Sequence, residues 1–164
     1  MRSYYTCMES PLGRIVLVSS DTHLKSLSFS DEQIEGSDNL PGILLKTTVQ
    51  LNEYFAGTRR KFDLKLDPDG TEFQKQVWKL LLNVTYGNTE SYREIALKLG
   101  SALNTRAVGT ANGKNPISII VPCHRIIGSD GKLVGYAGGL ERKRWLLLHE
   151  AQHSKNDLLF QELQ

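Results

Sequence analysis

The chain has 164 residues, enough for one ordinary domain or two small ones packed together, and only two cysteines, Cys7 and Cys123. Two cysteines so far apart form neither a disulfide framework nor a paired-cysteine zinc site, which favours a reducing compartment. No apolar run reaches the length of a membrane span. We therefore expect a protein of the cytoplasm. The net charge is only +2, but residues 71–150 carry 11 Lys+Arg against 6 Asp+Glu, an excess that suits polyanion binding and also occurs on surfaces that bind nothing.

The first half of the chain predicts a small antiparallel sheet followed by a helix. The first thirty residues look extended, with short β-rich runs at Arg14–Ser19 and Leu24–Phe29 that are bounded by turn residues. Apolar residues then recur at roughly helical spacing over Leu40–Phe55, and Gly57 follows as a stop signal. We therefore expect this helix to pack on the sheet.

A turn cluster, Asp67-Pro68-Asp69-Gly70, separates two parts of different charge and secondary-structure character. We place a domain boundary there, with an N-terminal domain over residues 1–66 and a C-terminal domain over residues 67–164. The second domain opens with Thr71 and Gln74 in the spacing of a capping box, which predicts a helix beginning after Thr71.

Two further short helices are predicted in the second domain. Ser91 and Glu94 form a second capping-box pattern, for a helix that stops at Gly100, and Asn104-Thr105 is expected to cap another helix that runs to Gly113. Two short helices joined by a tight turn match a helix-turn-helix, although helical hairpins with no DNA role are more frequent. The polar residues after Glu150 are expected to fray.

The segment from Asn115 to Arg125 carries the strongest chemical signal. A β-branched run ends at Pro122, so Cys123 is expected just beyond a strand or in a buried loop. A thiol attacks only as thiolate, and His124 and Arg125 are candidates for the base or the positive field that it needs. On Cys and His alone, an inert core cysteine beside an ordinary histidine is the better interpretation.

The surrounding residues change that balance. The core PCHRIIG at residues 122–128 is preceded by RAVGTANGKNPISIIV and followed, from residue 135, by GYAGGLERKRWLLLHE. This pattern resembles the O6-alkylguanine-DNA alkyltransferases (methylated-DNA-protein cysteine methyltransferases), particularly the bacterial constitutive type. The resemblance runs without a gap over residues 73–150, whereas the first half of the chain resembles the family only in pattern.

The resemblance implies a catalytic set. Cys123 would be the alkyl acceptor, His124 its general base acting through a water, and Glu150 the acid that orients and charge-balances the histidine. Asn115 would hold the turn that bears the active-site strand. Without the resemblance, Glu150 would be interpreted as a solvated carboxylate at a helix end, a position that the helix dipole disfavours.

The resemblance also implies a set of DNA and base contacts. Arg106 matches the arginine that fills the space of the extruded guanine, and Tyr92 matches a tyrosine that donates toward the base. Tyr136 and Ala137 align with a loop that closes over the base, beside Lys143, and we also assign Arg125 to this group. Small residues on the predicted recognition helix would allow minor-groove contact, whose degenerate readout suits a protein that must ignore sequence.

This chain departs from the family pattern at two informative points. Ala137 stands where some relatives have a serine, from which we expect altered substrate preference. Some members hold a structural zinc with two Cys and two His, but here Cys7 and His23 are the only early candidates, so we expect no zinc. The resemblance implies no cofactor.

The expected fold is α+β: a small N-terminal antiparallel sheet with a helix, ribonuclease-H-like, followed by a mostly helical, winged-helix-like DNA-binding domain. The expected function is single-use repair of double-stranded DNA containing alkylated guanine, and also O4-alkylthymine, by a monomer with no membrane partner; cooperativity on DNA is left open. The alternatives are a lesion-binding protein without transfer activity, against which Cys123 argues, and a helix-turn-helix regulator with a redox cysteine, for which no dimerisation segment is evident.

Overall fold

The computed structural model describes residues 2–164. They form two compact units that divide between Asp69 and Gly70, slightly later in the chain than the predicted boundary at residues 66/67. The predicted α+β class is confirmed, since a three-stranded antiparallel sheet belongs to the first unit and most helices belong to the second. No helix within residues 2–164 combines the length and apolar character needed to cross a membrane.

The first unit is built on a meander of three strands, β1 (Tyr4–Ser10), β2 (Gly13–Ser19) and β3 (Leu24–Phe29), in the order β1-β2-β3. The hairpin between β1 and β2 pairs Ser10 with Gly13, which has a φ of 102° that favours glycine. Strands β2 and β3 match the predicted runs. Strand β1 lies in the region predicted only as extended, because its mixed polar sequence has no clean alternation.

One helix, α1 (Gly42–Phe55), completes the first unit and contacts all three strands. Its inner face buries Leu44, Leu51 and Tyr54, as the helical spacing predicts. After α1, the chain returns to the sheet, where Leu24 exchanges backbone hydrogen bonds with the segment 65–67.

The second unit contains five helices and two very short strands among its described residues. In chain order they are α2 (Glu72–Leu81), β4 (Glu90–Ser91), α3 (Tyr92–Lys98), α4 (Thr105–Gly113), β5 (Ile126–Ile127), α5 (Leu140–Ser154) and α6 (Asp157–Leu163). Strands β4 and β5 pair in parallel, a ladder too short to be read from sequence. Helices α2, α3 and α4 contact one another, which agrees with the predicted helix-turn-helix.

Two of the three predicted helix caps are formed. Thr71 and Gln74 make the full reciprocal capping box of α2, and the Ser91 hydroxyl accepts the Glu94 N–H at the start of α3. The predicted cap at Asn104 is wrong, because a 3₁₀ turn over residues 102–104 leads directly into α4. Asn104 therefore has a nearly helical backbone, from which its side chain makes no cap, and Ser101 caps the 3₁₀ turn instead.

The end of the chain does not fray as predicted. Helix α5 continues past Glu150 to Ser154, and α6 packs on it through Leu159 and Leu163, which bury against Leu147 and Ala151. Two apolar residues at i and i+4 are enough to dock a short helix, and a count of polar residues does not reveal them.

Candidate active site

Cys123 lies at the start of a 3₁₀ turn, Cys123–Arg125, that follows Pro122. The preceding β-branched run is a series of tight turns with Ile119 at a φ of 72°, so the segment is the buried-loop alternative rather than a strand. Only 2% of the cysteine is exposed. Burial raises the pKa of the Cys123 thiol to about 11, while the Asn115 side chain, the charge of Lys143 and nearby backbone N–H groups act in the opposite direction.

Asn115 holds these turns together from inside. Its Oδ1 accepts the Ile117 N–H at 3.0 Å, and its Nδ2 donates to the Val121 carbonyl at 2.8 Å. The side chain is buried, so these bonds replace water that the backbone groups cannot reach. Asn115 thus braces the turn that presents Cys123; the segment that this turn carries is a buried loop, where the resemblance implies a strand.

His124, Arg125 and Glu150 form one buried network. The His124 Nε2 and Glu150 Oε2 atoms are 2.7 Å apart, and neither side chain is exposed. The Arg125 guanidinium donates to both oxygens of Glu150, at 2.8 and 3.1 Å. The other ring nitrogen, Nδ1, makes no hydrogen bond to any described residue.

The charges in this network determine its protonation. Burial alone would raise the pKa of Glu150, but His124 and Arg125 overcome that and hold it well below its ordinary value. Burial lowers the pKa of His124, an effect that Glu150 opposes. At neutral pH, the site therefore holds a carboxylate beside a neutral imidazole whose Nε2–H is directed at that carboxylate, which leaves Nδ1 as the basic atom.

The predicted DNA or base contact of Arg125 is not supported by this geometry. Its guanidinium is engaged by Glu150 and by the Val84 carbonyl, to which Nη1 donates at 2.7 Å, and it lies near the ring of Tyr86. Only 6% of the residue is exposed, so its charge interacts with the buried Glu150 carboxylate and is not accessible to a polyanion.

Lys143 is fully buried and ties several loops together. Its Nζ donates to the carbonyls of Ile126, Val134 and Gly135 at 2.5, 3.0 and 3.1 Å. Burial lowers the pKa of Lys143 to about 8, and Cys123 acts in the opposite direction. The Tyr92 hydroxyl lies 3.4 Å from Nζ and donates to the Val134 carbonyl at 2.7 Å, so both side chains fix the loop before Tyr136.

A pocket of about 280 Å³ lies beside this cluster. Its lining residues come from α3, α4 and the loop before α5: Tyr92, Gly109, Asn112, Gly113, Gly135, Tyr136 and Ala137. Burial raises the pKa of Tyr92 and, more strongly, that of Tyr136, so both phenols stay neutral and can donate. Tyr92, Tyr136 and Ala137 thus lie on one cavity.

Arg106 lies elsewhere on the same unit. It is exposed on α4 and lines a groove of about 560 Å³ with residues of α2 and the 3₁₀ turn. The exposed face of α4 also presents Ala107 and Thr110. Small side chains around one exposed arginine leave the helix free to approach a flat or grooved partner closely.

Three residues of the site were not identified from sequence. The Asn112 side chain donates to the Cys123 carbonyl at 3.3 Å, the Gly87 N–H lies 3.4 Å from Glu150 Oε1, and Asn156 donates to the Gly87 carbonyl at 2.9 Å. Gly87 has a φ of 78°, and a Cβ there would lie 2.3 Å from the Ser154 hydroxyl. An Asn-Gly pair at a helix end is a common stop signal, which conceals any other role for Asn112.

The acidic and thiol groups of this site form no metal centre. Within residues 2–164, no three side chains of His, Cys, Asp or Glu come together in a way that could hold a metal ion. The two cysteines are both free thiols, with Cys7 partly exposed on β1.

Comparison with known proteins gives consistent matches over both units. Residues 3–68 match the family described as 6-O-methylguanine DNA methyltransferase, ribonuclease-like domain, and residues 72–152 match the DNA binding domain of the same family. The methylated-DNA–protein-cysteine methyltransferase of Methanosarcina barkeri is 49% identical over 149 residues, which is 88% of this chain and 94% of that protein.

Solved structures give the same result. The O6-methylguanine methyltransferase of Mycobacterium tuberculosis has a TM-score of 0.83 at 46% identity, covering 93% of this chain and 94% of that one. The crystal structure of Mycobacterium tuberculosis OGT in complex with DNA has a TM-score of 0.82 at 46% identity, covering 95% and 98% of the two chains.

Proposed function

The chain belongs to the 6-O-methylguanine DNA methyltransferase family, and from this membership we propose how its residues carry out the reaction. Its activity is DNA repair by transfer of an alkyl group from methylated DNA to a cysteine of the protein. The residue assignment depends on one observation. His124, the residue that follows Cys123 in the chain, makes a buried 2.7 Å contact with Glu150.

Cys123 is the proposed acceptor, and His124 is its general base. Burial raises the pKa of the thiol, so forming the thiolate requires a base and a nearby positive charge. In this mechanism the thiol proton passes through a water to Nδ1 of His124, and Glu150 stabilises the imidazolium that results. The buried ammonium of Lys143 stabilises the thiolate, and Arg125 keeps Glu150 ionised.

The chemical step is a displacement at the alkyl carbon. The Cys123 sulfur forms a bond to that carbon as its bond to guanine O6 breaks, and the electron pair stays on the guanine. The guanine then takes up a proton, for which the neutral Tyr92 hydroxyl is the proposed immediate donor. The Lys143 ammonium, whose Nζ lies 3.4 Å from that hydroxyl, returns a proton to the phenolate. His124 releases the proton of the thiol to solvent, and Lys143 regains one from it. The products are unmodified guanine and a thioether on Cys123.

Access to the sulfur requires the base to leave the duplex. A stacked base pair cannot bring guanine O6 to a cysteine that is 2% exposed, whereas the 280 Å³ pocket is large enough for a single nucleobase. Extrusion costs a few kcal/mol, and the proposed role of Arg106 is to enter the stack and fill the space that the base leaves. The small residues of α4 suit approach through the minor groove.

Each molecule is proposed to act once. Removing the alkyl group from the thioether would require a nucleophile to attack the alkyl carbon and expel the Cys123 thiolate, which is a poor leaving group from a neutral thioether. Nothing in the mechanism supplies such a nucleophile. O4-alkylthymine offers the same alkyl–oxygen bond on a smaller ring and is the second proposed substrate. Action as a monomer in the cytoplasm stays a prediction.

The two cysteines of the chain provide a matched test. A duplex with a radiolabelled O6-methyl group on guanine is incubated with Cys7→Ala and Cys123→Ala variants, and label on the protein is counted. We expect full transfer to Cys7→Ala and none to Cys123→Ala, with binding to the damaged duplex retained by both. Transfer to the Cys123→Ala variant would refute the assignment of the acceptor.

A further inference from the structure

Leu103 is an apolar side chain that lies in solvent just before α4. It belongs to the 3₁₀ turn that precedes this helix, and 94% of it is exposed, against 70% for the next most exposed large apolar residue described, Leu158. The side chain therefore adds almost nothing to the packing of the second unit. Single exposed apolar residues are common on protein surfaces, so the surroundings of Leu103 decide whether it has a function.

Leu103 lines the same groove of about 560 Å³ as Arg106, which follows it by three positions. The partly buried Phe73 of α2 and the side chains of Ala107 and Thr110 on α4 line this groove as well. Arg106 carries the only charge among the described residues that line it. The groove therefore presents an exposed leucine and small or apolar neighbours next to a single cation.

The charge of this part of the chain fits a polyanion. No aspartate or glutamate occurs between Glu94 and Asp130, a stretch that contains α4 and the exposed cations Arg106 and Lys114. The stretch lies within residues 72–152, which match the DNA binding domain of the family. A second copy of this chain has a net charge of +2 and complements these cations less well than a DNA duplex does. The occupant that the charges favour is therefore DNA.

A leucine beside an arginine suits the minor groove of a distorted duplex. The walls of that groove are formed by deoxyribose rings, which offer apolar surface, and proteins that distort DNA from this side combine cationic side chains with apolar ones. A contact with sugars carries no direct sequence information, which suits repair at any sequence. Burying the leucine against them also removes apolar surface from water, which favours the bound state.

We propose that Leu103 enters the minor groove beside Arg106 and packs against the deoxyribose rings that flank the extruded nucleotide. This inference rests on the proposed function, in which Arg106 fills the space of the base, and it adds a residue that holds the flanking sugars. The contribution of Leu103 comes from apolar burial. Unlike the contact of a lysine or arginine with a phosphate, it therefore does not depend on the release of counterions from the DNA.

The test measures affinity for a duplex containing O6-methylguanine by fluorescence anisotropy at several salt concentrations. Cys123→Ala serves as the parent protein, so that the lesion is not repaired during the titration. In this parent, Leu103→Ser should bind the duplex about three- to tenfold more weakly, as burial of about half a leucine side chain implies. The slope of log affinity against log salt concentration should stay the same, because no phosphate contact is lost.

Two further variants separate apolar contact from a general effect of substitution. Leu103→Met restores an apolar side chain of similar volume and should bind the duplex within about twofold of the parent. Leu158→Ser makes the matched change at the exposed leucine of α6, away from the groove, and should leave the affinity unchanged.

Three results would overturn the inference. The first is equal affinity of Leu103→Ser and the parent; if self-association in analytical ultracentrifugation were lost at the same time, the leucine would face a second copy instead. The second is a salt slope that falls by about one, which would mean that the change acts on a phosphate contact. The third is a loss of the same size in the rate with free O6-benzylguanine when Leu103→Ser is made in the protein that retains Cys123, which would indicate damage to the fold.

Failure of the proposed function is distinguishable from these results, because the affinity is measured without transfer. Absence of transfer from O6-methylguanine to the wild-type protein would overturn the proposed function, and the affinities of the Leu103 variants would still decide whether this side chain contacts the duplex.

Discussion

Replacing Glu150 with glutamine should destabilise the second unit strongly while changing almost no volume. The carboxylate is the charge partner of the buried Arg125 and the hydrogen-bond partner of His124. Glutamine keeps one acceptor oxygen but turns an NH₂ group toward these donors and leaves the guanidinium uncompensated. Breaking one side of a buried ion pair costs about 3 to 5 kcal/mol.

Urea unfolding followed by tryptophan fluorescence is the appropriate assay, because both tryptophans, Trp78 and Trp145, belong to the second unit. Glu141→Gln is the matched control. It makes the same substitution at an exposed site in the first turn of the same helix, where the loss should not exceed about 1 kcal/mol.

A double-mutant cycle then tests whether the cost comes from the pair. Arg125→Met combined with Glu150→Gln removes the uncompensated charge, so the double variant should lose less stability than the sum of the two single losses, by about 0.5 to 3 kcal/mol. A loss below about 1 kcal/mol in Glu150→Gln, or simple additivity in the cycle, would refute this view of the network.

Three further predictions follow from the site. The pKa of Glu150 in the folded state lies below its ordinary 4.5, so the stabilising contribution of its carboxylate is present above pH 4.5 and is lost on acidification. The difference in free energy of unfolding between wild type and Glu150→Gln, measured by urea titration, should therefore shrink below pH 4.5, and a constant difference would contradict this. Since burial lowers the pKa of His124 from 6.5, the acid limb of the single-turnover rate should have its midpoint below pH 6.5, and a midpoint above that value would exclude His124 as the base. Arg106→Ala should slow transfer from duplex DNA by about 10- to 100-fold, because the base then leaves the stack without a side chain to fill its space, and extrusion costs a few kcal/mol. Transfer from free O6-benzylguanine should be unchanged. An equal loss of rate on both substrates would show that Arg106 acts on the chemical step or on the fold.

The elements that could be predicted are those whose signal is local. The capping box of Thr71 and Gln74 and the helical spacing of Leu44 and Leu51 act within one or two turns of chain, and both are found in the structure. The cap at Asn104 was wrong because the conformation of the preceding residues decides whether an asparagine can cap, and a 3₁₀ turn has no clear sequence signal.

The residues of the candidate site could be predicted from a motif, but the hydrogen bonds and ion pairs that connect them could not. Family resemblance identifies Cys123, His124 and Glu150. The role of Arg125, by contrast, depends on its two partners, the Glu150 carboxylate 25 positions away and the Val84 carbonyl. A guanidinium next to a nucleophile has the same sequence signal whether it faces solvent or a buried carboxylate. Only the three-dimensional path of α5 decides between these two.

The role of Asn112 likewise depends on packing between distant segments and has no sequence signal. Its two informative properties are a bond to the Cys123 carbonyl and an acceptor with no partner, and both depend on how α4 packs against the turn that bears Cys123. In sequence it is half of an Asn-Gly pair at a helix end, a pattern that turn chemistry explains fully.

The most direct test of the account is intact-protein mass spectrometry after incubation with excess duplex containing O6-methylguanine, followed by peptide mapping. We predict a gain of one methyl group per protein molecule, located on the peptide that contains Cys123, with no further gain on longer incubation. No gain in mass despite tight binding to the damaged duplex, or a methyl group on the peptide that contains Cys7, would contradict it.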